Sequence, residues 1–245
     1  MWLINADKLT LEYFADTTNR DFPHYAILSH AWGADEVSFA DFTSPEKGIS
    51  KKGYDKIRNC CEIARSEGFD YAWIDTCCIN KSSSAELSEA INSMFQWYRG
   101  AGVCYAYLSD VDRSDSPLSR SSSFARSRWF TRGWTLQELL APLEVVFLDS
   151  AWVEIGTKRS LRSTLSSITR INESALERYR GGDFSVAQKM SWAAGRATTR
   201  LEDEAYYLMG LFDVNMPLLY GEGGKAFLRL QQEILKQSDD DSLFA

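Results

Sequence analysis

Apolar residues fall along this chain in two textures. In the first, four short apolar runs are separated by longer amphipathic or polar stretches. The runs are Tyr25-Ala26-Ile27-Leu28-Ser29, Tyr71-Ala72-Trp73-Ile74-Asp75, Val103-Cys104-Tyr105-Ala106-Tyr107-Leu108 and Glu144-Val145-Val146-Phe147-Leu148. They have the length and composition of buried strands. Between the first two, Tyr54 to Glu67 places apolar residues at 54, 57, 61 and 64, which is helical spacing, and Gly68 stops it. Between the second and third, Ser82-Ser83-Ser84 can cap a helix that carries Glu86 and Glu89 early and ends near Gly100. Strands that alternate with helices long enough to be crossovers predict a parallel sheet covered on both faces. Trp2-Leu3-Ile4-Asn5 reads as a short edge strand, and residues 34–52 and 112–127 as polar loops.

After Asp149 the texture changes. Residues 160–179, 184–195, 202–212 and 223–237 read as helices with no strand among them, broken at Gly181-Gly182 and between Pro217 and Gly221. No long linker divides the halves, so the chain is expected to be one domain over 1–245: an α/β part over 1–150, and a helical extension over 151–245 packed on it. Ser238 to Ala245 is acidic, then apolar, and reads as a chain cut short with a further domain to follow.

Composition narrows the function classes. A net charge of -7 argues against a general nucleic-acid binder. No stretch approaches the roughly 20 apolar residues of a membrane span, and the N-terminus lacks the basic and apolar regions of a signal peptide. Cys60, Cys61, Cys77, Cys78 and Cys104 are odd in number and sit in apolar segments, which fits reduced, buried thiols of a cytoplasmic protein.

Ligands of parallel sheets bind at the carboxyl ends of the strands. Here those ends carry Ser29-His30-Ala31-Trp32-Gly33, Asp75-Thr76-Cys77-Cys78 and Ser109-Asp110. Beyond the third strand comes Arg132-Gly133-Trp134-Thr135-Leu136-Gln137-Glu138-Leu139-Leu140-Ala141-Pro142, a short apolar helix bounded by Gly133 and Pro142. Trp134 and Glu138 are four apart and share a face. A carboxylate on such a face is costly unless it is paired or working; an ion pair with Arg132 is the plain alternative. With two histidines and no CxxC or HxxH pattern, metal catalysis is not expected. Gly221-Glu222-Gly223-Gly224-Lys225 resembles a P-loop only superficially and reads as a turn, and no GxGxxG occurs. A Cys77 or Cys78 nucleophile with His30 as base is conceivable, though adjacent cysteines after an apolar strand are more often core.

Four of these segments carry a resemblance. Tyr25 to Gly33, Trp73 to Ile79, Arg132 to Pro142, and Glu202-Asp203-Glu204-Ala205-Tyr206 through Met216-Pro217-Leu218-Leu219-Tyr220-Gly221-Glu222-Gly223 resemble, in order, the fungal heterokaryon-incompatibility (HET) domain, with Asn80 where many members carry Gln. The resemblance implies a cell-death effector of fungal self/non-self recognition, often followed by an NLR-type receptor portion on the same polypeptide, and acting by self-association. Leu28-Ser29-His30, Gly68-Phe69 with Ile74-Asp75, and Trp134 with Glu138 are also similar to the TIR domain over residues 25–148. Catalytic TIR domains cleave NAD with a glutamate in the equivalent helix. Carried over, that residue is Glu138, with NAD as substrate and no cofactor. Cleaving the nicotinamide–ribose bond passes through an oxocarbenium-like state, for which a fixed negative charge and exclusion of water are needed. Trp32 and Trp134 would wall the flat rings, Arg132 would meet the pyrophosphate, and Ser29, His30 and Asp75 would line the rim. Two readings stay open: an NAD-cleaving effector, or a non-catalytic assembly module in which Glu138 is a structural ion-pair residue.

Overall fold

The computed structural model describes residues 1–17, 19–112, 114–237, 240 and 242. Seven strands form one mixed sheet in the order β2-β1-β4-β3-β5-β6-β7. The four apolar runs are its parallel centre: β3 (Tyr25–His30), β4 (Tyr71–Ile74), β5 (Val103–Tyr107) and β6 (Val145–Leu148). All six positions of β3 are buried, which is why its sequence is nearly continuous in apolar residues.

Three shorter strands pair antiparallel at the flanks. β1 (Trp2–Asn5) pairs with both β2 (Thr10–Tyr13) and β4, so it is not the edge that its sequence implied. β2 is half-polar and four residues long, which leaves little apolar signal. β7 (Glu154–Thr157) pairs with β6 and corrects the expectation of a strand-free second half; its Glu-Ile-Gly-Thr sequence carries one apolar residue.

The crossovers form where the periodicity placed them. Residues 34–52, expected as a loop, hold two one-turn helices, α1 (Phe39–Phe42) and α2 (Pro45–Gly48). α3 (Tyr54–Ser66) links β3 to β4 and buries Ile57, Cys60, Cys61 and Ala64. Gly68 follows at φ +86°, a left-handed conformation that glycine adopts without steric cost. α4 (Ser84–Gly100) starts at Ser83, whose hydroxyl accepts from the Glu86 amide, and carries the chain past β3 to β5. β3 is therefore where the crossovers part to opposite sides, with β4 on one flank and β5 on the other, the arrangement at which doubly wound sheets open a crevice. α5 (Thr135–Leu140) sits over that opening and packs on β3 and α4.

The second half is more broken than its periodicity implied. Residues 160–179 divide into α6 (Arg162–Thr169) and α7 (Glu173–Glu177) at Arg170, which is left-handed at φ 61°. α8 (Val186–Ala193), α9 (Asp203–Tyr206), α10 (Met209–Phe212) and α11 (Lys225–Gln237) follow. The halves share one core and are stitched by backbone pairing. The Gly133 amide donates to Ala197 O at 2.9 Å and the Ala197 amide to Thr131 O at 2.7 Å. Gly133 is obligatory there, since a Cβ would lie 2.6 Å from both Thr198 and Tyr207. All five cysteines are free and buried, and no described helix is long and apolar enough to cross a membrane. The expectation about Ser238 to Ala245 falls largely outside the described residues.

Candidate functional site

A cavity of about 350 Å³ opens at the carboxyl end of β3, within the range of small-molecule sites. Six of the seven residues singled out from the sequence line it: His30, Trp32, Asp75, Arg132, Trp134 and Glu138. The helical half completes the wall with Ala197 to Arg200, Asp203 and Tyr220, and α4 adds Leu87, Ile91 and Met94.

Glu138 is 7% exposed and enters no ion pair among the described residues, so the plain alternative of a bond to Arg132 does not form. Its partner is Ser29, which is fully buried and lies behind Glu138 instead of on the cavity rim where the sequence placed it. A residue the sequence reading missed holds the Ser29 hydroxyl from its other side. The Trp129 indole donates to Ser29 Oγ at 2.8 Å. An indole N–H can only donate, which leaves the hydroxyl's own proton available, and it goes to Glu138 Oε2. Trp129 belongs to a 3-10 turn, Arg128–Thr131, packed on Phe130 and Phe147. The Trp-Phe pair ending the polar 112–127 loop was the available signal.

Burial pushes the Glu138 carboxyl up to about 8; the negative charge of Asp75 adds to this, and the Ser29 hydrogen bond and Arg132 oppose it. At neutral pH the empty site thus holds chiefly the neutral acid, which modifies the expectation of a permanent negative charge.

The other side of the cavity is ionic. Trp32 is 43% exposed, and its indole donates to Asp75 Oδ2 at 2.8 Å. The Lys81 ammonium lies 3.7 Å from the centre of the Trp32 ring, a cation–π contact. His30 is almost wholly buried between two carboxylates, with Nδ1 3.9 Å from Asp75 and Nε2 3.7 Å from Glu36. Neither imidazole nitrogen reaches a described hydrogen-bond partner, nor does Asp75 Oδ1. Burial alone would raise Glu36, but His30, the Gly33 amide and Lys56 together hold its carboxyl down at about 2.

Trp134 is half-buried and packs edge-on against Tyr207, with ring centres 6.4 Å apart. Arg196 of the helical half holds the segment before α5, with Nη1 donating to Arg132 O at 2.9 Å and Thr135 Oγ1 at 3.0 Å.

Besides Ser29, Asp110 and Cys77 also fall outside the cavity. Asp110 accepts from the Ser127 hydroxyl and the Arg128 amide, both at 2.8 Å, and so anchors the 3-10 turn. Cys77 is fully buried and its thiol is raised well above its ordinary range by desolvation, the opposite of an activated nucleophile. No cluster of metal-ligating side chains occurs among the described residues. A larger recess of about 590 Å³ between α4, α8 and α10 is lined by Arg99, Asp183 and Lys189 and contains none of the predicted site.

The fold and cleft define a doubly wound α/β domain whose ligand crevice is finished by a helical half. The family model for heterokaryon incompatibility proteins (HET) matches residues 25–125. Over 235 residues the chain is 48% identical to Vegetative incompatibility protein HET-E-1 of Podospora anserina, an alignment that takes in 93% of this chain and 17% of that protein. The chain belongs to the heterokaryon-incompatibility domain family, and it spans less than a fifth of the length of that relative. No solved structure matches it.

Proposed function

We propose that this domain is a cell-death effector of self/non-self recognition that cleaves NAD at the nicotinamide–ribose bond, with Glu138 as the group beside the reacting sugar. The observation that carries this reading is the buried, unpaired Glu138 carboxyl facing a ligand-sized cavity flanked by Trp32 and Trp134. No cationic side chain pairs with it among the described residues, and it opens on the cavity.

The raised pKa fits the chemistry through linkage. The nicotinamide ring of NAD is cationic, so its arrival beside Glu138 favours the carboxylate and releases a proton. The charge required by the oxocarbenium-like state is then generated by the substrate itself. Ser29, backed by Trp129, fixes one carboxylate oxygen. Asp75, turned by the Trp32 indole, would set a second negative charge on the cavity wall. The similarity to Vegetative incompatibility protein HET-E-1, which is far longer than this chain, is consistent with a receptor portion on the same polypeptide; activation by self-association is part of the proposal.

The test is NAD consumption by the purified domain, forced to oligomerise, beside Glu138→Gln. Turnover by the parent and its loss by at least about 100-fold in the variant is the expected result. kcat/KM should rise with pH through about 8, the value for Glu138 in the empty site, and kcat should rise at a lower pH. Killing that persists with no NAD loss in either protein would replace the enzyme with an assembly module.

A further inference from the structure

Arg200 was not among the residues singled out from the sequence. It stands on the wall that the helical half adds to the cavity. Its guanidinium lies 4.5 Å from the centre of the Tyr220 ring, and the Tyr220 phenol is tethered to Asp203 Oδ1 at 3.0 Å. The Thr198 hydroxyl donates to Arg200 O at 2.6 Å and fixes the backbone beneath it. The pairing of Ala197 with Thr131 and Gly133 then brings residues 198–200 to the same cavity as Arg132.

The donors of both guanidiniums are unused. Neither Arg132 nor Arg200 makes a side-chain hydrogen bond or an ion pair with any described residue. The acids nearest Arg200 are engaged elsewhere. Glu202 accepts from the Gly221 and Gly223 amides at 2.7 and 3.0 Å, and Asp203 is held by Tyr220. A guanidinium laid on an aromatic face keeps its N–H edge free for bidentate bonding. Two guanidiniums, of which Arg200 lies on an aromatic face, stand with Lys81 on one cavity beside Asp75 and Asp203, and supply donors for an anion in a protein of net charge -7.

We propose that Arg200 and Arg132 together form a diphosphate-binding arm, so that the cavity selects ligands in which two nucleosides are bridged by pyrophosphate over nucleosides and mononucleotides. This rests on the nucleotide reading of the cavity given above. It also gives the helical half a task that the α/β half cannot perform alone: it contributes one of the two arms and holds the other in place through Arg196.

Calorimetric titration with ADP-ribose tests the arm without any need for turnover, with adenosine as the ligand that lacks phosphate. The parent and Glu138→Gln should both bind ADP-ribose. Arg200→Ala should weaken it by about 10- to 100-fold, the loss of one charge-assisted contact, and leave adenosine unchanged. Arg200→Lys should recover part of the affinity, because it restores charge and not the fork. Arg200→Gln provides a second neutral variant should the alanine protein fail to fold. ADP-ribose affinity that is unchanged in a folded Arg200→Ala or Arg200→Gln protein, or absent from the parent, overturns the proposal. NAD turnover with Arg200→Ala as active and as selective as the parent would sink the arm and leave NAD cleavage standing. ADP-ribose binding that depends on Arg200, with no NAD turnover, would sink cleavage and leave the arm.

Discussion

Two ionisable groups are buried against α5, on different sides of it. At the C-terminal end the Lys158 ammonium, 3% exposed, donates to the Leu139 carbonyl at 3.2 Å and to the Pro142 carbonyl. It closes the last turn, whose carbonyls have no partners within the helix. On the cavity side Glu138 has the Ser29 hydroxyl and open space, with Arg132 acting on it without an ion pair. Burial drives both groups toward neutrality, Lys158 down to about 8 and Glu138 up to about 8. The difference lies in the partners. Lys158 is surrounded by acceptors that the fold itself supplies, so its task is complete in the empty protein. Glu138 forms no ion pair among the described residues, and in the proposed function the ligand brings the counter-charge. A similar degree of burial therefore accompanies a structural cap in one place and, in the proposed function, a poised site in the other.

The largest effect expected from this contrast is structural. Lys158→Met keeps the stem of the side chain and removes the donors, leaving the Leu139 and Pro142 carbonyls buried without partners. The expected loss is about 2–4 kcal/mol, read from urea unfolding of the purified domain. A loss below about 1 kcal/mol would mean that the end of α5 finds other donors, and the contrast would fail on the lysine side.

Glu138→Gln should move stability the other way. The folded pKa of Glu138, about 8, lies above its unfolded value near 4.3. The native protein thus binds more protons between those values and loses stability as pH rises through that window. Below about pH 4 the variant and the parent should be equally stable. By pH 7 the variant should be more stable by on the order of 3 kcal/mol, and the gap should flatten above pH 8. Thermal melts at a series of pH values give the curve. A structural ion-pair residue would show the reverse, a variant less stable than the parent at neutral pH. The combination of a stabilised fold and lost activity is the signature of a group kept for function.

Much of this was readable from the sequence, for reasons that differ between the halves. The parallel strands announced themselves because both faces are buried, so Tyr25–His30 and Val103–Tyr107 are apolar at nearly every position. Once their order was known, the carboxyl-end rule placed His30, Trp32 and Asp75 together, and Glu138 was marked by its apolar company. β2 and β7 were invisible because one-sided flanking strands need few apolar residues. The helical half was misjudged in detail because a 3.6-residue period does not say where a helix breaks, as at Arg170. Ser29 was found but put on the rim, since sequence gives a residue's place along a strand and not its depth. Trp129 and Arg200 were missed because each acts through partners about 100 and 20 residues away, Ser29 and Tyr220, and no local pattern records such contacts.

The smallest expected effect probes the link between Trp129, Ser29 and Glu138. Ser29→Ala removes the hydroxyl that donates to Glu138 and leaves the Trp129 indole without its acceptor. The orphaned indole should cost about 1–2 kcal/mol of stability. The more telling readout is the pH profile. The Ser29 hydrogen bond opposes the burial that raises Glu138, so its loss should shift the midpoint of kcat/KM against pH to the alkaline side, by up to about one unit. Ser29→Thr keeps the hydroxyl and should hold the midpoint near that of the parent. A merely structural serine would lower stability in Ser29→Ala and leave the midpoint where it was. A shift that Ser29→Thr reverses would show that the hydroxyl sets the protonation of Glu138, and with it how strongly the empty cavity waits for a cation.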